Sequence, residues 1–247
     1  MLRNRLITVL TFNNGVLFRT KKFNPDYRYT LNFIDAWSVD EIVLLDITRE
    51  GFGHRDNFYE IVAWFSEQCF VPLAVGGGIK DVEEVKKLLR LGADKVVVNS
   101  EALVRPALIT EIAQLYGAQC AVVSIDAKKM PEGYEVFSRC GTFATGRDPS
   151  GWARQSRDLG AGEVMVTSIE KDGSLEGYDN ELNRLVSEAV DIPVLVCGGA
   201  GKWQDFVDGF NLGGASAVCT TNIYHFTETS IKSAKKYLHN NGIIVRI

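Results

Sequence analysis

The sequence is poor in the features that mark several common protein classes. Of its 247 residues, 6 are proline and 3 are histidine. No apolar run approaches the roughly 20 residues that a membrane-spanning helix needs, so no membrane partner is expected. The five cysteines lie far apart and form no C-x-x-C pair, and we interpret them as small core residues in a reducing compartment. No metal-ligand spacing appears, so we expect neither a metal nor another cofactor.

A surplus of positive charge is also missing. The chain has 27 Lys and Arg against 31 Asp and Glu, which gives a net charge of −4 and a pI near 5.5. Such a chain is a poor match for a phosphate backbone, and we expect no nucleic-acid partner. The first residues, Met1 to Arg5, lead into a short predicted strand rather than an apolar signal segment, so we expect a cytoplasmic location.

The sequence does have a regular alternation of short apolar runs and amphipathic stretches. Eight runs are typical of parallel strands buried on both faces, at residues 5–10, 41–46, 72–75, 95–99, 121–126, 163–168, 193–197 and 217–221. Helical periods separate them, at residues 58–68, 81–91, 107–116, 150–159, 181–190, 203–210 and 230–239. This order predicts the α/β class: a single (β/α)8 TIM barrel over residues 1–247, with no linker.

The two halves of the chain resemble each other. Residues 40–45 match 162–167, residues 71–78 match 192–199, and residues 92–96 match 214–218, at offsets of 121 or 122 residues. Strand–glycine–helix patterns recur in every parallel barrel, but three aligned blocks at nearly one offset favour a duplication. We therefore predict a barrel built from two duplicated half-barrels.

Two glycine-rich turns follow predicted strands at equivalent places in the halves. They are Gly76-Gly77-Gly78 and Gly198-Gly199-Ala200-Gly201. Active sites of such barrels form at the carboxyl ends of the strands, where glycine permits close approach of a ligand and helix N-termini favour anions. The glycines could merely close tight turns, but their symmetry favours a ligand with two separated phosphates.

One carboxylate stands at the predicted mouth without its symmetry partner. Asp126 ends the fifth predicted strand, where it could serve as a general acid or base, or as a structural group that binds loop amides. Its counterpart in the first half falls at Thr11, whose hydroxyl has no useful proton affinity at neutral pH. The pair of carboxylates that the symmetry suggests therefore lacks one member.

Four charged residues of alternating sign begin predicted strands at the opposite end of the barrel: Arg5, Glu41, Lys95 and Glu163. They could form a ring of salt bridges there. Such a ring could simply close the barrel and stabilise it, or it could act as a gate over a central passage, and the sequence leaves both interpretations open.

From Met1 to Ile247 the chain resembles the cyclase subunits of imidazole glycerol phosphate synthase, the HisF family. The matching motifs are Leu45-Asp46-Ile47-Thr48, Val75-Gly76-Gly77-Gly78-Ile79, Gly92-Ala93-Asp94-Lys95-Val96, Ile125-Asp126-Ala127-Lys128, Gly160-Ala161-Gly162-Glu163, Asp172-Gly173, Gly198-Gly199-Ala200-Gly201 and His225-Phe226. The resemblance implies a heterodimer with a HisH-like glutaminase at the barrel bottom. Ammonia released there would pass the charged ring to a phosphorylated ligand at the top.

The resemblance also implies a role for each matching residue. Asp94 would dock the partner, and the ring of Arg5, Glu41, Lys95 and Glu163 would be the ammonia gate. One phosphate would bind at Gly78, Asn99 and Ser100. The other would bind at Asp172, Gly173, Gly199, Thr221 and Asn222, although Thr221-Asn222 departs from the family's usual Ala-Ser.

The catalytic residues of the family do not all carry over. Its cyclases have an Asp at the ends of the first and fifth strands; Asp126 matches the second, and Thr11 replaces the first. The family's loop lysine is Arg19 here, which is not a conservative change at a loop that covers substrate. Because an acid–base group contributes roughly 10²–10⁴ in rate, we expect impaired cyclisation.

This combination resembles a divergent HisF-like branch associated with N-acetyl sugar amidotransferases in surface polysaccharide biosynthesis. Our leading hypothesis is a barrel that channels ammonia toward the conversion of an acetamido sugar to an acetamidino sugar. The alternative is a genuine cyclase of histidine biosynthesis, which converts the bis-phosphate ribonucleotide PRFAR and ammonia to imidazole glycerol phosphate and AICAR. A third hypothesis is a silent scaffold that senses a phosphorylated metabolite and activates its partner. The related isomerase ranks lower, because it also needs an Asp at the end of the first strand.

Overall fold

The fold is known from a computed structural model that describes residues 4–28, 39–49, 55–221 and 231–246. Its strands are β1 (Arg5–Asn13), β2 (Val16–Lys21), β3 (Asn24–Arg28), β4 (Glu41–Asp46), β5 (Leu73–Gly76), β6 (Lys95–Val98), β7 (Ala121–Met130), β8 (Gly133–Ser138), β9 (Phe143–Ala144), β10 (Glu163–Ser168), β11 (Val194–Cys197) and β12 (Ala217–Thr220). Strands β1, β4, β5, β6, β7, β10, β11 and β12 pair in parallel in that order, and β12 pairs with β1. The eight-stranded parallel barrel is therefore closed.

Helices follow the barrel strands. They are α1 (Asp56–Gln68), α2 (Val82–Arg90), α3 (Ser100–Val104), α4 (Ala107–Tyr116), α5 (Pro149–Asp158), α6 (Asn180–Ser187), α7 (Trp203–Asn211) and α8 (Ile231–Asn240). Asp81, Asp148 and Asp179 cap α2, α5 and α6 by accepting a hydrogen bond from a backbone N–H of the first turn. None of the helices in the described ranges is both long and apolar enough to span a bilayer.

The barrel strands are apolar on both faces because each face meets a different core. Along β1, Leu6 and Leu10 belong to the outer core between strands and helices, whereas Ile7 and Val9 belong to the smaller core inside the barrel. Successive side chains of a strand point to opposite faces, so a strand covered on both sides reads as one continuous apolar run. This is the physical origin of the pattern that predicted the strands.

The predicted (β/α)8 barrel is confirmed, and strands β4 and β10 have the predicted bounds. The prediction missed the two hairpins that follow the first barrel strand of each half. Strand β1 pairs antiparallel with β2, and β7 pairs antiparallel with β8. Both hairpins extend beyond the barrel. Their outer strands lack the continuous apolar runs from which the barrel strands are predicted, so the sequence pattern does not indicate them.

A buried ion pair ties the last described helix to the start of β1. Lys235 of α8 donates to Asp40 at 2.6 Å, and the other carboxylate oxygen of Asp40 accepts the backbone N–H of Leu6 at 2.8 Å. The side chains of Lys235 and Asp40 are only 9% and 7% exposed. Removing one partner would leave an uncompensated charge in a water-poor site.

We predict that Lys235→Met lowers the free energy of unfolding by about 3 kcal/mol, because Asp40 loses its cation. Lys129→Met is the matched control, since Lys129 also pairs with a carboxylate at 2.7 Å, but both side chains are exposed. Chemical denaturation of both variants should show a loss in the first and no change in the second. Equal losses would show that the burial of the Lys235 pair has no special role.

Candidate active site at the barrel mouth

A cavity of about 540 Å³ opens at the carboxyl ends of the barrel strands. Its lining includes nine of the predicted site residues: Thr11, Gly78, Asn99, Ser100, Asp126, Asp172, Gly173, Gly199 and Thr221. Asn222 lies outside the described residues. The described part of the chain has no group of three or more His, Cys, Asp and Glu side chains arranged to hold a metal ion.

Asp126 is the central polar group of this cavity. Its carboxylate accepts hydrogen bonds from the Asn99 side-chain amide at 2.6 Å and from the Ser124 hydroxyl at 3.0 Å. Burial raises the pKa of Asp126 to about 7, and the nearby charge of Asp172 adds to the rise, while the hydrogen bonds from Ser124 and Asn99 oppose it. A carboxyl group in this state can both release and accept a proton near neutral pH.

Thr11 occupies the position that corresponds to Asp126 in the other half-barrel. In the strand register Thr11 lies opposite Leu45, and Asp126 lies opposite Thr167, which is the repeat counterpart of Leu45. The Thr11 hydroxyl donates to the backbone carbonyl of Phe18 in β2. It is therefore engaged in holding the hairpin that follows β1, and it supplies no ionisable group to the cavity.

The first glycine turn fits tightly between two strands. Gly77 and Gly78 have positive φ angles of 91° and 62°, which favour glycine, and a Cβ atom at Gly77 would collide with the Asp46 carbonyl. The predicted partners of this turn already make contacts within the protein. The Ser100 hydroxyl accepts the backbone N–H of Arg139 at 2.9 Å, and Asn99 binds Asp126.

The second glycine turn lies across the mouth beside Asp172. The carboxylate of Asp172 accepts the Thr20 hydroxyl at 3.0 Å and the Phe23 backbone N–H at 2.9 Å. These bonds anchor the β2–β3 hairpin to the mouth, a role that sequence reasoning missed. Burial raises the pKa of Asp172, although the bonds from Phe23 and Thr20 oppose that rise.

The turn between β8 and β9 forms part of the cavity wall, and sequence reasoning did not single it out. Arg139, Cys140 and Gly141 all have positive φ angles, and a Cβ atom at Gly141 would lie 3.1 Å from Phe23. The β2–β3 turn and the β8–β9 turn therefore meet over the mouth. Cys69 and Cys140 are only partly buried, which corrects their assignment to the core, whereas the other three cysteines are buried.

The four charged residues at the opposite end form a closed ring. Arg5 contacts Glu41 at 2.6 Å and Glu163 at 2.8 Å, and Lys95 contacts each of the same glutamates at 2.9 Å. Burial disfavours the charge of Arg5, but the attraction of Glu163 and Glu41 outweighs it and raises the pKa of Arg5. Each cation thus bridges both anions across the narrow end of the barrel.

Asp94 lies at the same end as the ring, one residue before Lys95. Its side chain accepts the backbone N–H of Leu73 at 2.8 Å, and the residue is exposed. Beside it is a shallow depression that also includes Phe70, which is 78% exposed. The docking role of Asp94 stays a prediction.

The pKa of Asp126 leads to a prediction about stability. The folded protein binds the proton of the Asp126 carboxyl group more tightly than the unfolded chain does. Protonated Asp126 therefore stabilises the fold below about pH 4, and this stabilisation is lost as the pH rises toward 7. Relative to Asp126→Asn, the wild-type free energy of unfolding should fall by up to about 4 kcal/mol over that range. Denaturation at pH 4, 6 and 8 measures the difference, and parallel pH profiles would contradict the raised pKa.

The family comparison agrees with this geometry. Residues 8–230 match the model of a family described as "Histidine biosynthesis protein". The match spans nearly all of the barrel and includes both glycine turns, Thr11 and Asp126. This chain belongs to the histidine biosynthesis protein family of (β/α)8 barrels.

Proposed function

We propose that the chain is the barrel subunit of a glutamine-dependent amidotransferase. In this proposal a HisH-like glutaminase docks at the bottom face near Asp94, and ammonia crosses the barrel to the mouth. An N-acetyl sugar amidotransferase then uses it to convert an acetamido sugar to an acetamidino sugar in surface polysaccharide biosynthesis. The observation that carries the proposal is an intact charged ring at one end of the barrel and Thr11 in place of a carboxylate at the other.

The geometry of the ring suits a gate. Because Arg5 and Lys95 each contact both glutamates, one cation can swing aside while the other still contacts Glu41 and Glu163. The closed ring of two cations and two anions is neutral, whereas displacing one cation leaves a net charge of −1 in a water-poor site, which is costly. The ring therefore favours the closed state, and each glutamate keeps contact with one cation when it opens.

The interior beyond the ring suits a neutral solute. It is lined mainly by apolar side chains, among them Ile7, Val43, Val97 and Met165. Transfer of an ion into such surroundings is far more costly than transfer of a small neutral molecule. Ammonia rather than ammonium is the form that this interior would admit.

The mouth retains the features of a binding site while lacking one acid–base group. Two glycine turns and Ser100 line the cavity, which supports a phosphorylated small molecule as its ligand. Thr11 binds the Phe18 carbonyl and cannot replace a carboxylate as a proton acceptor. These features support ligand binding and ammonia delivery more strongly than cyclisation.

The second candidate is a cyclase subunit of imidazole glycerol phosphate synthase. The raised pKa of Asp126 favours it, since a carboxyl group that titrates near 7 can serve as acid and base in turn. Under this candidate Asp126 would carry out the proton transfers alone. The barrel would then convert PRFAR and ammonia without help from Thr11, and Thr11→Asp would change turnover little.

Ammonia conduction can be tested by isotopic competition. The barrel, its glutaminase and the sugar amidotransferase are supplied with amide-¹⁵N glutamine, the acetamido sugar and a pool of unlabelled ammonium. We predict that the wild-type amidino product carries mostly ¹⁵N. We also predict that Arg5→Ala lowers the labelled fraction severalfold, because an open ring lets ammonia exchange with solvent. Arg184→Ala, an exposed position on α6, is the control and should match wild type.

Two results would count against the proposal. If the wild-type product carries no more ¹⁵N than the mixed ammonium pool, and Arg5→Ala matches it, the barrel does not conduct ammonia past the ring, and a scaffold that only activates the glutaminase would explain the system better. If sedimentation shows no complex between the purified barrel and any glutaminase subunit from the same genome, the partner assignment fails.

A further inference from the structure

The two glycine turns have equivalent positions in the repeat but different surroundings. Gly78 and Gly199 align in the two halves, and both have positive φ angles, of 62° and 112°. A Cβ atom at Gly78 would collide with Nη1 of Arg55, whereas one at Gly199 would collide with the backbone carbonyl of Gly177. A guanidinium therefore packs against the first turn, and a neutral peptide group packs against the second.

Arg55 is held against the first turn by a small network. Its Nη2 donates to the carbonyl of Gly77 at 2.8 Å and contacts Glu84 at 3.1 Å. Glu84 in turn accepts the hydroxyl of Tyr59 at 2.9 and 3.0 Å. Because the Gly77 carbonyl and the Glu84 carboxylate both hold Nη2, this nitrogen of Arg55 is kept at the turn.

This contact changes how the first turn would meet an anion. A free carbonyl oxygen repels phosphate, but the Gly77 carbonyl is occupied by a cationic donor. Because Glu84 balances the Arg55 charge, the effect acts through the hydrogen bond to the Gly77 carbonyl. Arg55 does not line the cavity, so it acts on a ligand through the Gly77–Gly78 backbone.

The second turn differs in the donors that contact its backbone. The Gly199 carbonyl accepts a neutral backbone N–H, from Gly177 at 2.8 Å. The Asp205 carboxylate already accepts the backbone N–H groups of Gly201 and Lys202 at 2.8 and 3.0 Å. An anion approaching this turn therefore finds a neutral donor on the carbonyl and two amides already occupied.

We infer that Arg55 is a positioning residue that makes the Gly77–Gly78 turn the stronger of two unequal phosphate sites. The inference rests on the proposed phosphorylated ligand of the mouth. It specifies that ligand further: its more highly charged phosphate binds at the first turn, and the group at the second turn carries less negative charge or donates hydrogen bonds.

Inorganic phosphate is the probe for a site-resolved test on the full chain. The amide NMR signals of Gly78 and Gly199 report the two turns separately during one titration. We expect about tenfold tighter binding at Gly78 in the wild type, as for a charge-assisted contact against a neutral one. Arg55→Gln should remove most of that difference and leave the Gly199 affinity unchanged.

Two further variants separate charge, geometry and fold. Arg55→Lys keeps the charge but replaces the planar guanidinium with a more flexible ammonium, and it should bind phosphate at the first turn with intermediate affinity. Arg184→Gln removes the same charge from an exposed ion pair with Glu188 and should match wild type. If Arg55→Gln does not fold, the comparison of Arg55→Lys with wild type still tests the inference.

The outcomes distinguish this inference from the function on which it rests. Equal affinities at the two turns in the wild type, or an unchanged first-turn affinity in both Arg55 variants, would overturn the inference and leave the phosphate sites in place. A wild-type titration that shifts neither signal would instead reject the phosphorylated ligand of the proposed function, and the inference with it.

Discussion

Closure of the parallel barrel by the pairing of β12 with β1 is the constraint on which the rest of the structure depends. Once the eight strands form a ring, alternate side chains must point into a narrow, mainly apolar interior. The amino ends of four strands then bring Arg5, Glu41, Lys95 and Glu163 into mutual contact. The carboxyl ends bring Asp126, Asn99 and the glycine turns around one cavity. Two chemically different sites therefore lie on one axis, separated by an apolar core.

The half-barrel repeat explains why the mouth is symmetric in backbone and asymmetric in chemistry. The two halves share strand register, glycine turns and a hairpin after their first strand. They differ in the side chains at matching places, with Thr11 against Asp126 and Arg55 against Gly177. A duplicated backbone supplies two similar binding positions, and a few substitutions make them unequal. Two similar but unequal binding positions suit a barrel that binds an elongated ligand in one orientation.

Much of the fold was predictable because strands that are buried on both faces have continuous apolar runs in the sequence. Strands β4 and β10 are apolar after their first glutamates, and those glutamates point into the ring. The mouth-lining residues were predictable from their position just after the strands. The contacts of Asp172 with Thr20 and Phe23, and of Arg55 with Gly77, were not predictable. They join segments that are separated in the chain, and the contacts of Asp172 also depend on a hairpin without a strong apolar pattern.

The central claim is that the barrel conducts ammonia but has lost most of the cyclase reaction. The most direct test supplies the purified barrel with PRFAR and excess ammonium at alkaline pH, without a partner, and follows imidazole glycerol phosphate. Ammonium bypasses the ring, so this assay examines the mouth alone. We predict turnover lower by about 10²–10⁴ than in the variant Thr11→Asp, because one acid–base group is missing. Measurable wild-type turnover equal to that of Thr11→Asp would contradict this prediction and identify the chain as a working cyclase.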